Sequence, residues 1–301
     1  MALPADFEID RKAVRRNFSR HAASTDSVSA LNREVASRMA ERLDYIRLEP
    51  TRVLDIGCGT GADLAALAGR YPAAEIIAAD SAFAALHRAR PARSLLSRVN
   101  PFSRGGGPLL TCADIEKLPF PAAAMTLVWS NLMLNWLDDP LAGLREMARV
   151  LEVGGMVMFS TLGPDTLKEL RSSFPKEDGD RVHRFIDMHD LGDALIKAGF
   201  GDPVMDMQMI TLTYSDLDGL LRDLRLSGAA SAARSRPAGL TGRSTWQQVR
   251  QRYETLRRDG RLPATFEVVF GHAWKIPART TADGRSVIQF RPRDDFEGSP
   301  R

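Results

Sequence analysis

Apolar positions along this chain follow two alternating rhythms. Between residues 29 and 46, Leu31, Val35, Met39, Leu43 and Ile46 recur at spacings of three and four, the apolar stripe of one amphipathic helix. Short apolar runs at 52–56, 75–79, 109–113, 126–130 and 156–160 have strand length. Helical patterns at 62–70 and 141–151 separate some of them, and the second is expected to close at Gly154-Gly155, where glycine can turn left-handed. Strands alternating with helices predict an α/β chain with a parallel sheet and crossover helices. Two later strands are expected at 204–214 and 266–274. About fifty residues lie between those strands, with an amphipathic helix through Trp246, Val249, Tyr253 and Leu256, and an insertion of that size reads as a lid or binding surface.

Composition narrows the class. With 301 residues, 44% of them hydrophobic, the chain can bury a substantial core. No run of 18 apolar residues occurs, and the first ten residues carry Asp6, Glu8 and Asp10, so neither secretion nor a membrane span is expected. Cys58 and Cys112 lack metal-ligand spacing, which predicts no metal site and a reducing, cytoplasmic home. The net charge is only +3, yet Arg222, Arg225, Arg234, Arg236, Arg243, Arg250, Arg252, Arg257, Arg258 and Arg261 cluster against few acids, so a local basic surface is expected. The overall excess of positive charge is slight and no basic stripe carries interleaved stacking aromatics, which argues against a nucleic-acid partner. The stretch 90–108 reads as an exposed loop and the polar residues 276–301 as a disordered tail.

The chemistry concentrates at strand ends. Asp55-Ile-Gly57-Cys58-Gly59-Thr-Gly61 follows a strand and precedes a helix, with glycines at alternate positions where backbone must turn tightly and admit a ligand. A dinucleotide loop would space its glycines as Gly-x-Gly-x-x-Gly, so this pattern favours a methyl donor, and a bare glycine turn is the remaining alternative. Asp80, followed by Ser81, ends the second strand, where a carboxylate can accept from ribose hydroxyls; as a lone residue it reads equally as a helix cap. Asp114, with Ile115 beside it, follows the third strand and suits an adenine edge, or again a cap.

These residues resemble the class I S-adenosylmethionine-dependent methyltransferases, and the resemblance runs from about Arg16 to Lys275. Ser130-Asn131-Leu132, Asn135-Trp136, residues 146–151, 160–167 and 184–193, and Leu262-Pro263-Ala264-Thr265-Phe266 through Trp274 are similar to the malonyl-[acyl-carrier protein] O-methyltransferase family of biotin synthesis. The resemblance implies a doubly wound, mostly parallel seven-stranded sheet with a helical lid before the last strand. It implies a domain over 1–275, divided into a cofactor core at 29–160 and substrate or lid elements at 161–203 and 215–262. S-adenosylmethionine would be held by Asp55, Gly57, Cys58, Gly59, Gly61, Asp80, Ser81, Asp114, Ile115 and Asn131. The acceptor would be malonyl-acyl carrier protein or malonyl-CoA, with Trp136 in the pocket wall and Arg184 and His189 as candidates for gripping the malonyl carboxylate; each could instead be an ordinary lid or core residue. A carboxylate is already ionised at neutral pH, so no catalytic base is assigned.

The sequence departs from the family at Thr25, where a tyrosine is frequent, and at Ala85 and Asn135. The first bears on any amino-terminal cover that depends on that tyrosine. A related branch, the complex I assembly factor that hydroxylates a protein arginine, shares elements matched by Pro263-Ala264-Thr265 and Trp274-Lys275, while Gly271-His272-Ala273 favours the biotin branch. A non-enzymatic cofactor-binding partner is the alternative of another class.

Overall fold

A computed structural model describes residues 8–90, 107–175, 181–237, 239 and 241–277. Most of the expected loop at 90–108 and most of the expected tail lie outside the described residues. The strands are β1 (Arg52–Ile56), β2 (Glu75–Asp80), β3 (Leu109–Cys112), β4 (Met125–Ser130), β5 (Leu151–Leu162), β6 (Phe200–Tyr214) and β7 (Leu262–Lys275). They form one sheet in the order β3-β2-β1-β4-β5-β7-β6. Pairing is parallel from β3 through β5, and β7 runs antiparallel to both β5 and β6. The chain starts mid-sheet, moves out through β2 to β3 and then returns to β4 on the other side of β1. That reversal opens a crevice above the carboxyl ends of β1 and β4, where ligands of open α/β sheets bind.

The helices are α1 (Arg11–His21), α2 (Thr25–Val28), α3 (Ala30–Arg42), α4 (Leu64–Arg70), α5 (Phe83–Arg88), α6 (Pro140–Val150), α7 (Lys168–Ser173), α8 (Met188–Ala198), α9 (Leu217–Leu226) and α10 (Arg243–Glu254). The apolar stripe of α3 buries Val35 and Met39, and Leu43 follows in a short 3-10 turn; all three join Leu64 and Leu67 of α4 against one sheet face. Leu144 and Met147 of α6 and Leu191 and Leu195 of α8 cover the other face. The insertion before β7 supplies α9 and α10, whose Leu217, Leu220, Val249 and Tyr253 extend the first core, and the Tyr253 hydroxyl donates to Pro263 O at 2.7 Å.

Strands β5, β6 and β7 begin four or five residues before their expected starts at 156, 204 and 266, and one helix end is corrected. Helix α6 ends at Val150, and Leu151 is already extended and pairs with Met125, so Gly154-Gly155 does not close it. The left-handed residue, Gly154 at φ +85°, instead sits inside β5, where the register shifts between Met125 and Leu127.

Gly271, near the middle of β7, lies opposite Phe159 of β5 and Met205 of β6. A Cβ there would strike the fully buried Phe159 ring. Gly271→Ala is expected to destabilise the protein by about 1–3 kcal/mol through overpacking. Urea denaturation checks this, and an unchanged midpoint would contradict the packing.

Candidate active site

The loop leaving β1 takes backbone conformations that favour glycine: Gly57, Gly59 and Gly61 have φ of +75°, +53° and +81°. A Cβ on Gly57 would run into Met133 and one on Gly61 into Leu64 and Ala89, whereas one on Gly59 meets nothing within 4 Å. Gly57 and Gly61 therefore close the turn, and Gly59 presents bare backbone to open space. The Gly59 N–H donates to one Asp80 oxygen at 2.9 Å and Ala82 N–H to the other at 2.6 Å, which ties the loop to the end of β2.

Acidic groups crowd this end. Asp55 is buried, and its Oδ2 has no hydrogen-bond partner. Desolvation first, then the charges of Asp63 and Asp80, hold its carboxyl well above the usual range. Asp63 accepts from Trp129 Nε1 at 2.9 Å and Asn131 Nδ2 at 3.1 Å, yet burial still raises it; Asp80 is raised for the same reason against its two backbone bonds. Burial likewise pushes the Cys58 thiol far up, so it is no thiolate nucleophile.

Asn131 anchors the start of the loop after β4. Its amide also donates to Asn32 O at 3.1 Å, and its oxygen accepts from Ser160 Oγ at 2.9 Å. Ser160 in turn accepts from Leu132 N–H at 2.9 Å, which supports Leu132 in a left-handed conformation at φ +51°. Trp136 then stands edge-on between Phe18 of α1 and His183, with ring centroids 5.2 and 5.1 Å apart. Ala232 N–H donates to His183 Nε2, and burial chiefly, with the charge of Arg236, pushes this imidazole down to about 4; it is neutral at physiological pH and carries its proton on Nδ1.

A cavity of about 520 Å³ runs from the glycine loop into the lid insertion. Asp55, Gly57, Cys58, Gly59, Asp80, Ser81, Asp114, Ile115, Asn131 and Trp136 line it, and Gly61 serves the turn behind it. Further along, the wall carries the apolar and aromatic residues Leu170, Phe174, Tyr214, Leu224, Trp246 and Phe266 beside a few polar ones such as Arg181 and Asp223. Burial first, and then Asp223, pushes the Tyr214 phenol up to about 12, so it stays a neutral donor.

An amino-terminal cover forms with Thr25 in place. Asp10 caps α1 through Ala13 N–H at 3.0 Å, and Arg11 reaches Asp114 at 2.5 Å and Glu116 at 2.6 Å across the cavity edge. Val14 and Phe18 complete that wall. The sequence reading did not single out Arg11 or Phe18, and it missed Asp63, which looks like a cap for α4 but makes no capping bond.

Arg184 and His189 lie outside this cavity. His189 lies in the first turn of α8 with its side chain 86% exposed and held to Asp187 at 2.8 Å, and Arg184 is exposed beside a separate small crevice. Around Arg184 the chain has no regular structure: Val182, His183 and Phe185 are buried, and Arg184 between them is exposed.

Residues 54–159 match the family model described as a methyltransferase domain. A malonyl-[acyl-carrier protein] O-methyltransferase of Methylovorus sp. is 51% identical over 95% of this chain and 96% of its own length. The enzyme of that name from Laribacter hongkongensis is 49% identical over 95% and 97%. The chain belongs to the malonyl-[acyl-carrier protein] O-methyltransferase family. In fold it resembles the YcgJ protein of Bacillus subtilis, with a TM-score of 0.54 at 16% identity over 80% of this chain and 98% of that one. A methyltransferase-like protein of Bacillus halodurans gives 0.53 at 17%, over 80% and 100%.

Segments that carry the family resemblance hold one another. Leu167 N–H donates to Thr265 O at 2.6 Å, Asp165 N–H to Glu267 Oε2 at 2.7 Å, and Thr265 N–H to Glu169 at 3.1 Å. The loop after β5 is thereby fastened to β7 beneath the lid.

S-adenosylmethionine is the methyl donor of this enzyme class, and the residues fit it. Its ammonium and sulfonium would meet an acidic end where Asp55 Oδ2 lacks a partner, and Gly59 leaves backbone bare. The raised carboxyl groups also set a sign for stability. Protonated, they fold without penalty; stability is lost as pH rises from the ordinary carboxylate value of 3.8 through their elevated ones. Asp63→Asn is expected to leave the unliganded protein as stable or more so at neutral pH and to weaken S-adenosylhomocysteine binding by roughly tenfold. Thermal unfolding and calorimetry read both effects, and unchanged affinity would remove Asp63 from the site.

Proposed function

We propose that this chain transfers a methyl group from S-adenosylmethionine to the free carboxylate of a malonyl thioester on acyl carrier protein, giving the methyl ester that primes pimeloyl synthesis for biotin. The observation that carries this reading is one continuous cavity whose acidic end suits a cationic donor and whose apolar remainder suits a thioester-linked acyl arm. Residues 29–160 supply the donor half, and 161–203 with 215–262 the acceptor half.

The chain's own part is positioning and exclusion of water. A carboxylate nucleophile needs no base at neutral pH, which agrees with the neutral His183, the protonated Tyr214 and the inert Cys58. Asn131 and Trp136 wall the point where the two halves meet. Apolar surroundings strip water from the nucleophile, and a fixed approach supplies several kcal/mol, on the order of 7–11 in well-aligned systems.

Carrier proteins are acidic, and the lid offers them a basic face. Arg250 is paired with Asp218 at 2.7 Å and Arg257 with Glu254, Arg222 and Arg225 add their charges around that same Asp218, and Arg243, Arg252 and Arg258 form no ion pair among the described residues. Arg225 also reaches the cavity wall, so this face adjoins the entrance. We place the reaction in the cytoplasm, with malonyl-CoA as a second acceptor and neither nucleic acid nor membrane as partner. No helix among the described residues is long and apolar enough to cross a membrane.

Incubation with S-adenosylmethionine and malonyl-acyl carrier protein is expected to add one methyl to the carrier by intact mass, with none on acetyl-carrier. Added salt is expected to raise KM for the carrier substrate more than for malonyl-pantetheine, which lacks the acidic protein. Absence of transfer by a protein that binds the donor would shift the reading to the protein-modifying relatives.

A further inference from the structure

The cavity wall holds few cations. Among the described residues, the basic side chains lining it are Arg11, Arg181, His183 and Arg225. Arg11 is committed to Asp114 and Glu116. His183 is neutral, with Nε2 already accepting from Ala232 N–H. Arg225 is exposed in the last turn of α9 and belongs to the entrance.

Arg181 differs from all three. It is partly buried, its Nη1 donates to Thr241 Oγ1 at 2.7 Å, and its guanidinium lies 5.9 Å from the centre of the Phe174 ring. Phe174 stands edge-on to Trp246, with centroids 5.6 Å apart. Nε of Arg181 is buried without any hydrogen-bond partner, and no carboxylate among the described residues meets this cation. A guanidinium whose Nε is shut away from water without a partner, and which meets no anion, is a costly arrangement unless a guest completes it. Two residues along the same wall, His183 packs on Trp136, close to the end of β4.

Building on the carboxyl-methyltransferase reading, we infer that Arg181 receives the free carboxylate of the malonyl group and so selects malonyl over uncharged acyl thioesters. Its planar fork matches a carboxylate. One carboxylate oxygen forms the new C–O bond as the methyl's bond to sulfur breaks, and that bond's electron pair stays on sulfur. The sulfonium becomes a neutral thioether and the carboxylate a neutral ester. The ester no longer carries the charge that Arg181 holds, so the same contact that selects substrate releases product. Because the charge is present in the ground state and fades along the reaction, Arg181 acts mainly on KM and leaves kcat largely intact.

The test uses the full chain saturated with S-adenosylhomocysteine, titrated in a calorimeter with malonyl-pantetheine and acetyl-pantetheine, neither of which carries phosphate. The wild type is expected to prefer malonyl. Arg181→Gln is expected to bind malonyl-pantetheine roughly tenfold to a hundredfold more weakly with acetyl-pantetheine unchanged, and Arg181→Lys to fall between. An Arg181→Gln protein that keeps the wild-type preference would overturn the assignment. A wild type without any malonyl preference would instead overturn the functional reading beneath it. Should the variant fail to bind S-adenosylhomocysteine, phenylglyoxal labelling of the wild type decides: malonyl-pantetheine is expected to shield Arg181 and acetyl-pantetheine to leave it reactive, read by peptide mass. Equal labelling with both would sink the proposal.

Discussion

Carboxylates at the end of a buried strand cost free energy unless a positive charge answers them. Asp55, Asp63 and Asp80 gather at the point where the sheet reverses direction, and each is held above the ordinary carboxylate range because burial outweighs the bonds it receives. Backbone and side-chain amides offset part of that cost for Asp63 and Asp80, while Asp55 keeps an oxygen without a partner. Within a folded protein this arrangement stores an affinity for a cation, and the glycine turn leaves room for one. The acidic end of the cavity is thus defined as much by what it lacks as by what it contains.

The rest of the molecule encloses that charge. Helix α1 is tied by Arg11 to Asp114 and Glu116 at the cavity edge, and Phe18, Trp136 and His183 pack edge-on along the cavity wall. The loop after β5 and strand β7 hold each other through Thr265, Glu267 and Glu169, so the lid insertion is carried on a firm base. A low-dielectric interior strengthens each remaining charge interaction, which makes one cation on the acceptor side more decisive than several on the surface. Arg181, not the exposed arginines of α9 and α10, has that position.

Much of this was legible in the sequence, and the failures share a cause. The apolar runs of β1, β2 and β4 are bounded by turn and acidic residues, so their positions emerged within a residue of the observed bounds. The glycine spacing marked a tight left-handed turn that lines the cavity. By contrast, Gly154-Gly155 was read as a helix end because a glycine pair after an amphipathic stripe usually is one, whereas a bulge in a paired strand absorbs the same left-handed residue. In the stretch around Arg184, periodicity could not say which of two neighbours faces inward, since no regular helix or strand fixes the phase there. Asp63 was hidden by its cap-like position, and only the fold shows Trp129 and Asn131 bonded to it.

The central claim, that uncompensated carboxylates await the donor's ammonium, is tested most directly by proton linkage. Calorimetric titration of S-adenosylhomocysteine in buffers of different ionisation enthalpy, repeated from acidic to neutral pH, counts protons exchanged on binding. The account predicts net proton release in the acidic range, as the arriving cation brings the raised carboxyl groups back toward their ordinary values. Proton uptake, or no exchange at any pH in that range, would contradict it.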